Sequence, residues 1–360
     1  MKVCIIGDGL VSLTLANVLI QKNLSVDIIF NKNIKKHDKS RTIGISKSNI
    51  DYFNKEVVNI DKFSWNIKNI KIYTENFSNE EVLNFSNNEN CIFSIVKNYQ
   101  LYDVLIKKLK KSKIIKFRKN KNLETIFKKN YNLIINCDSK NEITRKLFSI
   151  RFQKIYNSQA YTAIIKHKKI DKNQTAIQNF TNKGPIAFLP ISNTETSVVY
   201  SLRDQVLKNK LDIKKLILKF NPKYEIIKIY NCSKFELKSS NLRRYYKKNI
   251  LAFGDLLHQV HPLAGQGFNM SLRDIQYLSK LIDKKINIGL EIDKTICYEF
   301  QKNSKDKNLI FSTGIDLIYE LFKFESKINN QLFSKSIKAI GNNKLINSFF
   351  KKFADSGLRI

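Results

Sequence analysis

The chain opens on a short apolar run, KVCII at Lys2–Ile6, followed by a polar glycine turn, GDGL, and then by apolar residues at helical spacing (Leu15, Val18, Leu19) within Val11–Gln21. A second apolar run, Ser25–Phe30, follows Lys22-Asn23-Leu24. Continuous apolar runs on either side of a helix suit a parallel sheet buried on both faces, so the pattern predicts the opening βαβ unit of a doubly wound fold. Ile67–Thr74, Glu81–Phe85 and Cys91–Val96 read as strands between polar turns, Tyr99–Lys111 as an amphipathic helix, and Tyr131–Asn136 as another buried strand. From Ile150 to about Ser240 strands alternate with polar turns, as in Tyr161–His167, Ile186–Pro190 and Thr196–Leu202, which predicts an antiparallel sheet inserted as a second domain. Asn249–Phe253 returns to a strand, Phe268–Ile282 reads as a strong helix, and the chain beyond Leu290 reads as helical.

The fold class expected is therefore α/β: a Rossmann-like nucleotide-binding domain with an inserted antiparallel-sheet domain and a helical C-terminus. The boundaries follow from the same pattern. Residues 1–150 and 245–300 make the discontinuous nucleotide-binding domain, 151–244 the substrate domain with a contribution from 63–96, and 301–360 the helical C-terminal segment.

Composition changes this picture little. With 360 residues, 42% of them hydrophobic, the chain can bury a sizeable core and is not generally disordered. The five cysteines (Cys4, Cys91, Cys137, Cys232, Cys297) form no CxxC pair, which argues against a zinc ribbon or a disulfide framework and suits a reducing compartment. The formal charge of +33 invites a nucleic-acid reading, but only nine of the 64 basic residues are arginine, and the lysines are spread along the chain. Phosphate and base readout draws on arginine, so no nucleic-acid partner is expected. Attraction to an anionic membrane surface is the better use of the charge. The apolar start contains Gly7, Asp8 and Gly9, and no small-residue cleavage site follows Ile20, so it reads as a strand and helix and not as a signal peptide. No window supplies the roughly 20 apolar residues of a spanning helix. The expected location is the cytoplasm, with peripheral attachment to the inner face of the cell membrane as the further option.

Two segments carry chemistry. Gly7-Asp8-Gly9-Leu10-Val11-Ser12 is a G-x-G-x-x-S variant of the dinucleotide fingerprint. Gly7 permits the tight turn after the strand, and Gly9 lets a pyrophosphate approach the N–H groups at the helix N-terminus. Ser12 is small enough to keep helix and strand close. The acidic residue expected to end the second strand is absent: Asn31 takes its place and can reach a ribose hydroxyl without a charge, while Asp27 comes too early.

The second segment runs from Gly254 to Asp274. It holds three of the eleven glycines and two of the four histidines, and no lysine occurs from Asn249 to Ser279. Such a stretch packs closely against something. A strand ending in Gly254-Asp255 presents a carboxylate to a ribityl or ribose hydroxyl. Pro262 fixes the backbone beside a planar ring, and Gly265 and Gly267 let the main chain touch that ring. The helix from Asn269 points its N-terminal dipole at the same place, where negative charge is favoured.

This segment resembles the second FAD motif of the p-hydroxybenzoate-hydroxylase-like (class A) flavoprotein monooxygenases, GDAAHxxxPxxGQGxNxxxxD, at Gly254, Asp255, His258, Pro262, Gly265, Gln266, Gly267, Asn269 and Asp274. Its HPLAGQGFNMSLRD wording is similar to that of the ubiquinone-biosynthesis hydroxylases. Arg41-Thr42-Ile43-Gly44-Ile45-Ser46, Val96-Lys97-Asn98, Asn136–Arg145 and Gly184–Pro190 resemble further elements of that group. The resemblance implies FAD as cofactor, NADH or NADPH as electron donor, and O₂ transferred as OH through a flavin C4a-hydroperoxide to an aromatic, prenylated substrate. It implies a cofactor site of Gly7, Gly9, Leu10, Val11, Ser12, Asn31, Arg41, Asn98, Asp255, Pro262, Gly265, Gln266, Gly267, Phe268 and Asn269. His261 and Pro262 lie beside the ring, and no proton-transferring side chain is assigned, because the cofactor carries the chemistry. A peripheral membrane habit or a place in a biosynthetic complex would follow from a lipid substrate.

Other features read blandly. His258 and His261 have no third ligand near and Pro262 follows at once, so no metal is expected. Phe349-Phe350-Lys351-Lys352-Phe353 reads as a terminal helix packed on the core ahead of a membrane anchor. Rival readings of the whole are a hydroxylase of a soluble phenol, a flavin reductase of isoprenoid double bonds, and a nucleotide-bound scaffold without turnover.

Overall fold

A computed structural model describes residues 1–30, 38–75, 80–86, 91–119, 126, 129–203, 212–230, 232–328, 335 and 344–357. The chain begins with β1 (Lys2–Ile6), α1 (Leu10–Gln21) and β2 (Ser25–Phe30), then β3 (Thr42–Ser46), α2 (Lys47–Glu56), β4 (Ser64–Ile67), β5 (Asn69–Thr74), β6 (Leu83–Ser86), β7 (Phe93–Lys97) and α3 (Asn98–Lys110). Next come β8 (Ile115–Lys119), β9 (Leu133–Asn136), α4 (Glu142–Leu147), β10 (Arg151–His167), β11 (Thr175–Thr181), β12 (Gly184–Pro190), β13 (Glu195–Arg203) and α5 (Ile213–Lys219). The last part holds β14 (Ile226–Ile229), β15 (Ser233–Leu242), β16 (Tyr246–Lys247), β17 (Ile250–Ala252), β18 (His258–Gln259), α6 (Gln266–Asn287), α7 (Lys294–Ile328) and α8 (Lys344–Ser356). The mixed α/β, Rossmann-like class expected from the pattern is the class observed.

A six-stranded sheet runs β16-β17-β9-β1-β2-β8. β1 pairs in parallel with both β2 (Val3 opposite Val26) and β9 (Val3 opposite Leu133), and β17, from the far side of the inserted sheet, joins the same sheet beside β9. Burial of Val3, Cys4, Ile5, Val26 and Ile28 on both faces explains their unbroken apolar runs. α1 packs between this sheet and α3 and α6, and its residues 12–19 are all buried. Asp27, in mid-strand, is committed to the scaffold. It accepts from Tyr131 Oη at 2.6 Å and Arg118 Nε at 2.8 Å, with Lys2 Nζ at 3.4 Å. Burial opposes its charge, but these partners hold its carboxyl below the usual range.

The larger sheet runs β18-β15-β10-β13-β12-β11-β5-β6, with β14 also on β10. It is antiparallel except where β11 meets β5. Of the strands predicted within 63–96, those at Ile67–Thr74 and Glu81–Phe85 (β5 and β6) join it, whereas that at Cys91–Val96 (β7) lies between β3 and the additional strand β4 in a three-stranded sheet. Register makes the sheet two-faced. Ala163, Val198, Phe188 and Ile177 stand opposite one another on four adjacent strands and pack under α5 with Leu216 and Ile217. One residue along, Thr162, Val199, Ala187 and Gln178 form the equivalent row on the other face. α5 interrupts a stretch read from sequence as strands and turns alone: Asp212 caps it by accepting from the Lys214 N–H. Among the described residues no helix is long and apolar enough to cross a membrane.

Candidate functional site

A cavity of about 490 Å³ lies where the six-stranded sheet, β3 and the open face of the larger sheet meet. Its walls include Gly9, Leu10, Val11 and Ser12 at one end, Arg41 and Asn98 at the side, and Asp255, His261, Pro262, Gly265, Gly267 and Phe268 at the other. The row Thr162, Val199, Ala187 and Gln178 closes it opposite. Residues separated by up to 259 positions in the chain thus meet in one space.

Local physics shapes each wall. Gly7 has φ +112° and its N–H donates to Ile29 O at 2.8 Å, so the chain turns sharply off β1. Gly7 itself stands behind the cavity wall and is not among its lining residues. Gly9 caps α1 with no side-chain bond, and a β-carbon there would meet nothing within 4 Å. The first turn of α1 therefore offers N–H groups and a positive dipole end to the cavity. Arg41 lies with its guanidinium 4.9 Å from the Phe235 ring, and its carbonyl accepts from the Asn98 N–H at 3.0 Å. Asn98 Oδ1 is buried without a partner among the described residues.

The other end is more tightly built. Gly265 caps α6 in the left-handed region (φ +64°), and a β-carbon on it would come 3.4 Å from the Gly44 nitrogen on β3. Asn269 locks this contact. Its Nδ2 donates to Gly44 O at 2.9 Å and Gly265 O at 3.2 Å, and its Oδ1 accepts from Ser46 N at 2.9 Å and Asn49 Nδ2 at 3.0 Å. Asn269 and Gln266 are buried and line a neighbouring cavity rather than this one. His258 is buried against Asp274, Nε2 to Oδ2 2.5 Å, and Asp274 also accepts from Asn308 at 3.1 Å. This fixes the Gly254–Gln259 turn to α6 and α7.

Two titratable groups at this end are shifted. Asp255 reaches the cavity surface but is enclosed by protein, which raises its carboxyl above the ordinary range against the pull of His258 and Arg41. His261 is 1% exposed. Burial, with some repulsion from Lys154, lowers its pKa to about 3, so the ring is neutral near pH 7. Its Nδ1 accepts from the Leu263 N–H at 3.3 Å, which leaves Nε2 carrying the proton. The ring stacks on Tyr319, centroids 4.3 Å apart, and meets the edge of Tyr156 at 4.9 Å. Tyr156 Oη in turn donates to Asp316.

Several of these residues escaped the sequence reading. The cross-strand row Thr162–Val199–Ala187–Gln178 was present only as alternation, which does not say which strands pair. Tyr156, Tyr319 and Asn49 carried no local signal, and Ser46 entered only as the last residue of the Arg41–Ser46 element. Asn31 falls outside the described residues. Among the described residues no cluster of three or more His, Cys, Asp or Glu could hold a metal.

The lining suits a dinucleotide with a planar ring: uncapped N–H groups at one end, a side-chain-free cradle at the other, and an unpaired amide oxygen between. Comparison with known proteins agrees. Residues 130–287 match the family model described as FAD binding domain. The chain is 23% identical to a ubiquinone biosynthesis monooxygenase COQ6 of Dictyostelium discoideum, over 96% of this chain and 88% of that one. It is 27% identical to the 3-demethoxyubiquinol 3-hydroxylase of Escherichia coli (strain K12), over 53% of this chain and 50% of that one. In fold it is similar to p-nitrophenol 4-monooxygenase PnpA of Pseudomonas putida DLL-E4, with a TM-score of 0.77 at 10% identity, covering 99% of this chain and 98% of that one. It is also similar to Klebsiella pneumoniae HpxO complexed with FAD and uric acid, with a TM-score of 0.74 at 13% identity, covering 99% and 97%. In sequence the chain is thus similar to ubiquinone-biosynthesis hydroxylases, with an FAD binding domain matched over residues 130–287, and in fold it is similar to monooxygenases.

Proposed function

We propose that this chain binds FAD in the 490 Å³ cavity and hydroxylates the aromatic ring of a prenylated phenol in ubiquinone biosynthesis, using NADH or NADPH and O₂. The observation that carries the reading is convergence: two glycine motifs nearly 250 residues apart line opposite ends of one cavity whose remaining wall is an open sheet face. On this reading the N-terminus of α1, with Gly9 to Ser12, holds the pyrophosphate. Asn98 and Asp255 bond sugar-chain hydroxyls, and the Pro262–Phe268 loop lies along the ring system. Bound FAD supplies the transfer of electrons from the nicotinamide and the activation of O₂. The chain orients the substrate ring against the flavin with the row Thr162, Val199, Ala187 and Gln178, and it excludes water. His261, neutral and held between two tyrosines, donates a hydrogen bond without bringing a charge into the pocket.

A peripheral membrane habit is part of the proposal. Ile310, Leu317 and Leu321 are 55%, 65% and 43% exposed. They recur at intervals of seven and four along α7 and so lie on one face. An exposed apolar stripe on a chain of charge +33 suits an anionic lipid surface.

The test is direct. Purified protein incubated with FAD is expected to retain a flavin spectrum after gel filtration. It is also expected to oxidise NADH or NADPH faster with 2-farnesylphenol, yielding a product heavier by one oxygen. Failure to retain flavin overturns the cofactor assignment, and substrate-stimulated oxidation without oxygen insertion points to the reductase reading.

A further inference from the structure

A second cavity, of about 270 Å³, lies behind the wall formed by β3 and the Leu263 turn. Ile70 and Ile72 of β5, Leu83 of β6, Ile315 and Phe322 of α7 and Phe353 of α8 line it. Its lining is almost wholly apolar, and the amide of Asn269 at its inner end is spent on Gly44, Gly265, Ser46 and Asn49. A cavity with such walls offers water few partners and takes an apolar guest.

Three residues, Gly44, Phe93 and Leu263, line both cavities. The wall between the two spaces is therefore one residue thick there. It is thin because position 44 has no side chain: a β-carbon would sit 3.2 Å from the Phe93 ring. Phe93 is half-buried on β7 and is the one bulky ring at this partition. At the outer end Leu321 lines the second cavity and also belongs to the exposed apolar stripe of α7. An apolar path thus runs from the surface stripe through the second cavity to the edge of the first.

We infer that the second cavity holds the isoprenoid chain of the substrate, with the aromatic ring in the first cavity and the chain passing the partition between Phe93 and Leu263. The inference rests on the hydroxylase reading for the ring but on the second cavity alone for the chain. It assigns recognition of chain length to Ile72, Leu83, Ile315 and Phe322, none of which touches the first cavity. It also explains an apolar stripe beside the mouth, since a chain leaving a bilayer would enter there without crossing water.

Two measurements test it on the FAD-loaded full chain. In the first, 2-farnesylphenol and 2-methylphenol are titrated calorimetrically against the natural protein, Ile315→Trp and Leu83→Trp. The expected result is a farnesyl affinity weakened by about tenfold or more, as loss of a buried prenyl unit gives, with 2-methylphenol unchanged within about twofold. Equal loss for both phenols, or no gain from the farnesyl group in the natural protein, overturns the inference. In the second, which needs no variant to fold, a farnesyl phenol bearing a terminal diazirine is photolysed on the natural protein. Label on β5, β6 or residues 311–322 is expected; label confined to β11–β13 overturns the assignment. Label in the second cavity without hydroxylation of any phenol sinks the hydroxylase reading and leaves the chain site standing. Hydroxylation with label elsewhere does the reverse.

Discussion

The two ends of the main cavity are built on different principles. At the α1 end a single strained glycine, Gly7, turns the chain, Gly9 stands in open space, and no side chain caps the helix. At the α6 end Gly254 and Gly265 both occupy positive φ, the Gly265 backbone rests on Gly44, and Asn269 ties four backbone and side-chain groups across the gap. Gly254 itself joins the two ends, since a β-carbon on it would come 3.1 Å from Val11. An end that offers only generic helix N–H groups tolerates latitude. The α6 end is instead held in place by many bonds, most of them buried and costly to break.

The tightly built end depends most on Asn269. Asn269→Ala strands two carbonyls, an N–H and an amide in the interior, and is expected to cost about 3–4 kcal/mol of stability. Urea unfolding should register this, with flavin lost at the same time. Gly265→Val comes next. A branched residue at φ +64° against Gly44 is expected to cost about 2–3 kcal/mol and to abolish flavin retention on gel filtration, whereas retention near the natural level would show that the cradle does not touch the cofactor.

His261 sharpens the picture through pH. Its folded pKa of about 3 lies below the 6.5 of an ordinary histidine, so the unfolded chain takes up the proton first. Its contribution is intact above pH 6.5 and falls by about 1.4 kcal/mol per unit on acidification towards the folded value. Comparing urea midpoints of the natural protein and His261→Asn at pH 7, 6 and 5 isolates this slope; identical slopes would refute a buried neutral imidazole. The smallest effect on stability is expected at Gly9. Gly9→Ala should change stability by less than about 0.5 kcal/mol, since nothing lies within 4 Å, yet weaken FAD by about tenfold if the pyrophosphate fills that space. Unchanged FAD affinity would move the pyrophosphate elsewhere.

Much of the molecule was legible in the chain because the signals were local. The unbroken apolar runs of β1 and β2, the helical spacing of α1 and α6, and the lysine-free glycine segment each announce a backbone need that neighbouring residues meet. Where need and partner lie far apart, the reading thinned. The three strands predicted within 63–96 looked alike, yet two joined the large sheet and the third paired with β3 and β4, because hydrogen-bond partners are chosen by the whole fold and not by alternation. Asp27 could be set aside as a ribose ligand by its position, but its actual partners, Arg118 and Tyr131, are supplied by β8, which pairs with β2, and by the segment leading into β9, one strand beyond β1.

By itself, then, the sequence determined the opening βαβ unit, its glycine turn and the lysine-free glycine segment before α6, since glycine freedom, helix N-termini and strand periodicity act within a few residues. The tertiary structure decided the rest: the row Thr162–Val199–Ala187–Gln178 that closes the cavity, the burial that keeps His261 neutral against Tyr156 and Tyr319, and the thin wall at Gly44 beside a second, apolar space. Those features depend on antiparallel register and on helices docking across more than a hundred residues of chain, and no local pattern encodes which faces will meet.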